Sequence, residues 1–362
     1  MAELLKDRVN YESVREVAVA IHSVYKQFDV DKFSNDTVDE TWADLELKER
    51  GRKITVTLKK YLPDCYGEDI AIFDEVIKKH SFGMVGYFLP DFVEVYGQNE
   101  SDWDLSIGAL ERYTALFSSE FAVRPFIIND EKRMMAQMSE WSKHESEDVR
   151  RLSSEGCRPQ LPWAQALPEF KKDPSPIIPI LEQLKADPSL YVRKSVANNL
   201  NDISKTHPEL AIKLAKKWHG KNKDTDWIIK HGLRTLLKKG NREALAIFGY
   251  DGADAIEISR FSLDEKSISI GDDITFSFTV STKKATKIRL EYGVDYVKAN
   301  GKRNRKIFQI SESEFKENTK KDYKKKHSFE DKSTRKHYSG IHSITLIVNG
   351  VESGVLDFEL KD

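Results

Sequence analysis

The chain has 362 residues with 32% charged and 39% apolar side chains and a formal net charge of −1, the balance of a folded globular protein rather than a disordered one. No apolar run approaches the roughly 18 residues that span a bilayer, and the start Met1-Ala2-Glu3-Leu4-Leu5-Lys6 lacks the basic and apolar regions of a signal peptide. Cys65 and Cys157 lie far apart, which suits a reducing cytoplasm and supports neither a zinc site nor a disulfide framework.

The charge is unevenly spread. Residues 1–110 hold 13 Lys+Arg against 22 Asp+Glu, a balance of −9, and the remainder carries +8. The later two-thirds is therefore the expected polyanion surface, and the acidic first third is expected to be a poor one.

In chain order, the first 250 residues read as successive helices. In Arg52–Leu62, Ile54, Leu58, Tyr61 and Leu62 recur at helical spacing. Ile54, Val56 and Leu58 also alternate with Thr55 and Thr57, which leaves a strand open. Gly51 precedes this stretch and Pro63 closes it. Helical patterns follow at 69–79 and 105–118. Then Val149-Arg150, Val192-Arg193 and Ile229-Lys230 repeat 43 and 37 residues apart, each three residues after a capping type: Ser146, Ser189 and Asp226. A period near 40 with fixed helix starts is the signature of HEAT-like helix pairs.

Beyond Gly252 the period changes to two. Ile274, Phe276, Phe278 and Val280 alternate with polar residues, and Asn349-Gly350 between two apolar runs signals a hairpin; Asn300-Gly301 offers a second turn. The expected fold is thus mostly α: a HEAT-like helical-repeat solenoid over 1–254, followed by a small immunoglobulin-like β-sandwich over 255–362. Two basic clusters, Lys302/Arg303/Arg305/Lys306 and Lys320/Lys321/Lys324/Lys325/Lys326, read as solvated loops or phosphate contacts. His337 and His342 lack partners at ligand spacing and read as loop histidines.

The densest chemistry lies in Val149–Trp163. On a helix, Arg151, Glu155 and Arg158 share one face, and Pro159 and Pro162 then leave Trp163 in a bend. In the next repeat Val192, Val196, Leu200 and Ile203 form an apolar stripe, with Lys194, Asn198 and Asp202 on a polar one. Stacked repeats would bring the two polar stripes together. By spacing alone an Arg-Glu helix pair is an ordinary surface ion pair.

The run Val149–Trp163, together with Tyr191–Lys205, resembles the AlkC family of bacterial DNA glycosylases within the HEAT-like AlkC/AlkD superfamily. The resemblance extends to about residue 250, and the β region is similar to the immunoglobulin-like module of one AlkC subgroup. It implies hydrolysis of the N-glycosidic bond of cationic lesions such as 3-methyladenine in double-stranded DNA, with no metal or cofactor, by a cytoplasmic, nucleoid-associated bacterial monomer. It also implies catalytic roles for Glu120, Glu155, Trp163 and Asp202. Arg151 and Arg158 would steady the carboxylates or touch phosphate, and Arg193, Lys194, Lys302, Arg303, Arg305 and Lys306 would contact DNA. Excision from a still-stacked lesion is a further implication. A non-catalytic scaffold and a damage-binding protein are the alternatives: the scaffold predicts an exposed apolar groove with no need for clustered acids, and the damage-binding protein shares the basic concave surface of the enzyme.

Overall fold

A computed structural model describes residues 4–250, 253–332 and 335–362. Sixteen α-helices and eight β-strands are found among the described residues. The helices are α1 (Tyr11–Val24), α2 (Val30–Thr37), α3 (Leu47–Leu58), α4 (Tyr66–Ile77), α5 (Phe88–Tyr96), α6 (Trp103–Tyr113), α7 (Val123–Asn129) and α8 (Glu131–Trp141). Next come α9 (Glu147–Glu155), α10 (Pro168–Lys172), α11 (Ile178–Leu184), α12 (Leu190–Thr206), α13 (Pro208–Trp218), α14 (Lys223–Gly232), α15 (Arg234–Lys238) and α16 (Arg242–Ile247). The chain divides into two compact units. One comprises 1–206 with 221–232; the other comprises 207–220 with 233–362.

In the first unit each helix buries the stripe its period supplies. In α12, Val192, Val196, Leu200 and Ile203 have no exposed surface, and each such side chain contributes roughly 1.5–3 kcal/mol by leaving water. The open choice at residues 52–62 resolves as helix through Leu58, with turns over 59–62. Here α3 begins five residues before Arg52, because Gly51 sits inside it rather than ahead of it. The reason is packing: a Cβ at Gly51 would lie 2.2 Å from Tyr87 Cδ1, so only glycine admits that ring. The expected helix at 105–118 stops at Tyr113, where Leu116 and Phe117 fold back in turns onto the Tyr113 carbonyl.

The repeat has a physical counterpart. Arg150 Nη1 donates to the carbonyls of His144 (3.0 Å) and Glu145 (2.7 Å). Arg193 Nη1 donates to those of Asp187 and Pro188 (both 2.8 Å), the same backward reach one repeat later. Each guanidinium also meets an acid of the following repeat, Arg150 with Asp187 and Arg193 with Asp224. Ser146 and Ser189 sit at the N-cap positions of α9 and α12, and the Ser189 hydroxyl accepts from Tyr191 N at 3.2 Å. Asp226 is not a cap. It lies inside α14, whose cap is Asn222, accepting from Asp224 N at 2.8 Å.

The second unit holds α13, α15 and α16 with a β-sandwich. Its strands are β1 (Ile256–Leu263), β2 (Ser267–Ser269), β3 (Asp273–Thr282), β4 (Thr286–Val297), β5 (Arg303–Phe315), β6 (Lys320–Ser328), β7 (Gly340–Val348) and β8 (Val351–Lys361). One sheet has the order β1-β3-β6 and the other β2-β8-β7-β4-β5, antiparallel except for β2 beside β8. Ile274, Phe276, Phe278 and Val280 of β3 are buried in the core with Tyr292, Val294, Ile344 and Leu346. Asn349 and Gly350 both take positive φ (46° and 76°) at the β7–β8 turn, the conformation that their sequence demands of a hairpin.

Two expectations for this unit are corrected. The lysine run 320–326 is an edge strand, not a loop, and Lys324 and Lys326 pair with Asp264 and Asp273; charged edges of this kind block strand addition. His342 is not a loop histidine: it lies in β7 with no exposed surface, and His337 is nearly as buried beside Phe329.

Candidate active site

Glu155 closes the last turn of α9, and the chain then turns through Gly156-Cys157-Arg158. Because α9 packs against α12, the Arg158 guanidinium lies between two acids that are distant in sequence. Its Nη1 donates to Glu155 Oε1 at 2.6 Å and its Nε to Asp202 Oδ2 at 2.9 Å. The other Asp202 oxygen accepts from Lys205 Nζ at 2.9 Å. On the opposite flank, Arg151 Nη2 stands 3.5 Å from Glu155 Oε1, and its Nη1 bonds Glu120 and, at 2.6 Å, the Ser118 hydroxyl. Ser118 in turn donates to Glu120 at 2.8 Å. The result is an alternating chain of charges: Glu120, Arg151, Glu155, Arg158, Asp202, Lys205.

Exposure grades along this chain. The side chain of Glu120 is 16% exposed, that of Glu155 6%, and that of Asp202 not at all. Burial opposes the charge on Arg158, but Glu155 and Asp202 outweigh it and raise its pKa. Every one of these carboxylates keeps a cationic partner, as buried acids require.

Part of this chain of charges borders an open cleft of about 580 Å³. Glu120, Glu155, Arg158 and Trp163 line it, opposite an apolar wall that includes Met84, Val85, Leu116 and Phe117. Trp163 is 75% exposed and adopts φ 63°, a conformation shared among the described non-glycine residues only by Arg260, Asn318 and Asn349. For a bulky residue this costs on the order of 1–3 kcal/mol. Lys48 holds the strained turn, donating from Nζ to Trp163 O at 2.8 Å while lying 4.5 Å over the Phe121 ring. Arg151 is likewise 5.1 Å over the ring of Tyr191.

Cys157 is wholly buried, and burial pushes its thiol up to about 12, which leaves it without nucleophilic character. The DNA-contact expectations separate. Lys194 is exposed. Arg193 is spent on the repeat strut described above. In the sandwich, Arg305 pairs with Asp295 and Glu352, and Arg303 donates to Ser343 Oγ at 2.8 Å. Lys302 and Lys306 are exposed, and Lys306 shares a concave surface with Lys298, Arg335 and Lys336.

The sequence does not mark the cleft residues Lys48, Tyr87 and Phe121, nor Tyr191 and Arg124, which support the groups behind it. Lys48 reaches Trp163 across 115 residues, and no local pattern announces that. The acidic first third, expected to be a poor DNA surface, supplies much of the cleft wall, including Leu47, Lys48 and Gly51.

Comparisons with known proteins agree with this architecture. Residues 114–244 match a family model described as a DNA alkylation repair enzyme, and residues 257–362 match the YhaZ C-terminal Ig-like domain. The chain is 48% identical over 356 residues to YhaZ of Bacillus subtilis (strain 168), covering 98% of this chain and 99% of that one. It superposes with a TM-score of 0.95 on the alkylpurine DNA glycosylase AlkC of Pseudomonas fluorescens, solved bound to DNA containing an abasic site analog. That match has 36% identity and covers 99% of this chain and all of the other. The chain belongs to the AlkC family of DNA glycosylases, in the subgroup that carries a C-terminal immunoglobulin-like domain.

Proposed function

We propose that the protein excises cationic alkylated bases of the 3-methyladenine type from double-stranded DNA, with Glu155 and Glu120 as the acids that face the lesion. One observation carries this reading: two carboxylates and an exposed tryptophan share one cleft, each held by a cation or a main-chain contact.

An N3-alkylated purine already bears positive charge. When its glycosidic bond breaks, the electron pair goes to the base, which leaves neutral and needs no general acid. The charge moves to C1′ of the deoxyribose in an oxocarbenium-like state. A carboxylate fixed beside that carbon binds the transition state more strongly than the ground state and lowers the barrier. Glu155, the more buried, suits this role. Glu120, more open and bonded to a hydroxyl, suits the orientation and deprotonation of water as it attacks C1′. The face of Trp163 adds attraction for the developing cation, about 1–2 kcal/mol once desolvated.

Asp202 acts at one remove. With both oxygens paired and no surface of its own, it sets the position and charge of Arg158. Lys194 and, in the sandwich, Lys302 and Lys306 serve as phosphate contacts, with Arg335 joining Lys306.

The lesion stays stacked while these residues approach it, a route favoured by a tryptophan that stands out at the surface rather than at the floor of a pocket. Incubation with methylated duplex DNA tests the activity: free 3-methyladenine and abasic sites are expected, and tight binding without base release would leave a damage-binding protein instead. 2-Aminopurine fluorescence next to the lesion tests the route. A flat signal is expected, and a rise on binding would show base extrusion.

A further inference from the structure

One buried cation has no part in the chemistry just described. Arg124, in the first turn of α7, is 1% exposed. Its hydrogen-bond partners among the described residues are three main-chain carbonyls and no carboxylate: Gly156 O (2.9 Å), Arg158 O (3.0 Å) and Gln165 O (2.5 Å). Its Nη2 is buried with no hydrogen bond among the described residues. A buried cation with no carboxylate in hydrogen-bond contact is costly, and burial pulls this guanidinium down to about 10.

The three carbonyls have a clear relationship to the cleft. Gly156 and Arg158 follow directly on Glu155 at the end of α9, where the negative end of the helix favours a cation. Gln165 lies just beyond Trp163. One planar group therefore grips both ends of the segment that delivers Arg158, Leu161, Pro162 and Trp163 to the cleft. Between those two grips the chain holds Trp163 at φ 63°, and Lys48 supports it from the other side. A lysine has one donor centre in place of this fork and cannot span carbonyls on both strands of the loop.

We propose that Arg124 is a positioning residue for base excision: a buried strut that ties the two ends of the 156–165 loop and so fixes where Trp163 and Arg158 meet the DNA. The proposal rests on the glycosylase reading above, yet its signature in the loop is measurable without activity.

The test compares R124K and R124M with the wild-type full-length protein. Single-turnover excision should slow by at least about tenfold in both, while affinity for duplex DNA holding an abasic analog stays within about threefold. W163F should add little, no more than about twofold, in the R124M background, because both changes remove the same placement of the indole. Hydrogen exchange should quicken at residues 160–167 of R124K and stay unchanged in α12. Wild-type rates in R124K, or losses from R124M and W163F that simply multiply, would overturn the proposal. If R124M does not fold, R124K decides by the same rate and exchange measurements, with R124K/W163F completing the cycle. If the wild-type protein releases no base, the glycosylase reading fails, and exchange in R124K still decides whether Arg124 holds the loop.

Discussion

Asp202 and Arg158, forty-four residues apart, form a buried pair with Nε donating to Oδ2 at 2.9 Å, and the same guanidinium reaches Glu155 at 2.6 Å. The cleft-lining acid at the end of one repeat is thus held from the middle of the next. In the function proposed above, this relationship makes Glu155 the substrate-facing acid and Asp202 the supporting one.

Their conservative variants should therefore differ. D202N leaves Arg158 and Lys205 facing a neutral amide, and disrupting a buried pair in this way costs on the order of 3–5 kcal/mol. E155Q also loses charge beside Arg158 and Arg151, but its side chain keeps some surface at the cleft where Asp202 has none. Chemical denaturation should show both variants destabilised and D202N the more so, by at least about 1 kcal/mol. Equal stabilities would contradict the supporting role of Asp202.

Trp163 pays for its placement with backbone strain, and this splits stability from activity. W163G relieves the positive φ and should leave stability unchanged or raised by up to about 1 kcal/mol, since the indole is mostly in water. Excision should fall about tenfold or more, the loss expected from removing a cation–π contact of 1–2 kcal/mol. Thermal unfolding alongside single-turnover rates checks both halves, and a destabilised W163G would show that the indole packs rather than projects.

The sandwich predicts an acid sensitivity. Burial pulls His327 down to about 4, and its two ring nitrogens bond the hydroxyls of Tyr292 (2.9 Å) and Tyr296 (2.6 Å). The folded state resists a proton that the unfolded state accepts near 6.5. Stability is therefore full above that value and is lost as pH falls from about 6.5 to about 4, by up to about 3 kcal/mol. Burial lowers His337 and His342 as well, in the same direction. Urea midpoints of the β-structure by far-ultraviolet circular dichroism should drop between pH 7.5 and pH 5, and H327Q should reduce the drop. A midpoint indifferent to pH would rule out a neutral buried His327.

Lys306 and Arg335 face the same concave surface, and the nearby cations Arg335 and Lys298 lower the Lys306 pKa. Such mutual repulsion is relieved by an anion. K306E should weaken DNA binding across sequences and flatten its salt dependence by about one unit of slope for each lost phosphate contact. An unchanged slope would make this surface a bystander.

How much of this was legible in the sequence follows the range of the interactions. Val192, Val196, Leu200 and Ile203 declare α12 because helix burial is periodic over a few residues. Asn349-Gly350 declares its hairpin because the turn needs positive φ in place. The Arg151–Glu155–Arg158 face was readable for the same local reason. Residues 52–62 are ambiguous in sequence, since Ile54, Val56 and Leu58 alternate as a strand would; in the structure Ile54 and Leu58 are buried while Val56 faces outward, the pattern of a helix. Lys48 and Arg124 were silent. Their partners are main-chain carbonyls, which any sequence supplies, so no residue type marks them in advance. His342 was misplaced because its burial depends on how two sheets pack, not on its neighbours in the chain.

In the proposed function Glu155, which lines the cleft, stabilises the cationic sugar during excision. Single-turnover release of 3-methyladenine from methylated duplex DNA by E155Q, with binding to abasic-analog DNA measured in parallel, tests it most directly. A loss of at least about a hundredfold in rate, with affinity within about threefold and the fold intact, is the expected result. An E155Q protein that releases the base at the wild-type rate would contradict it.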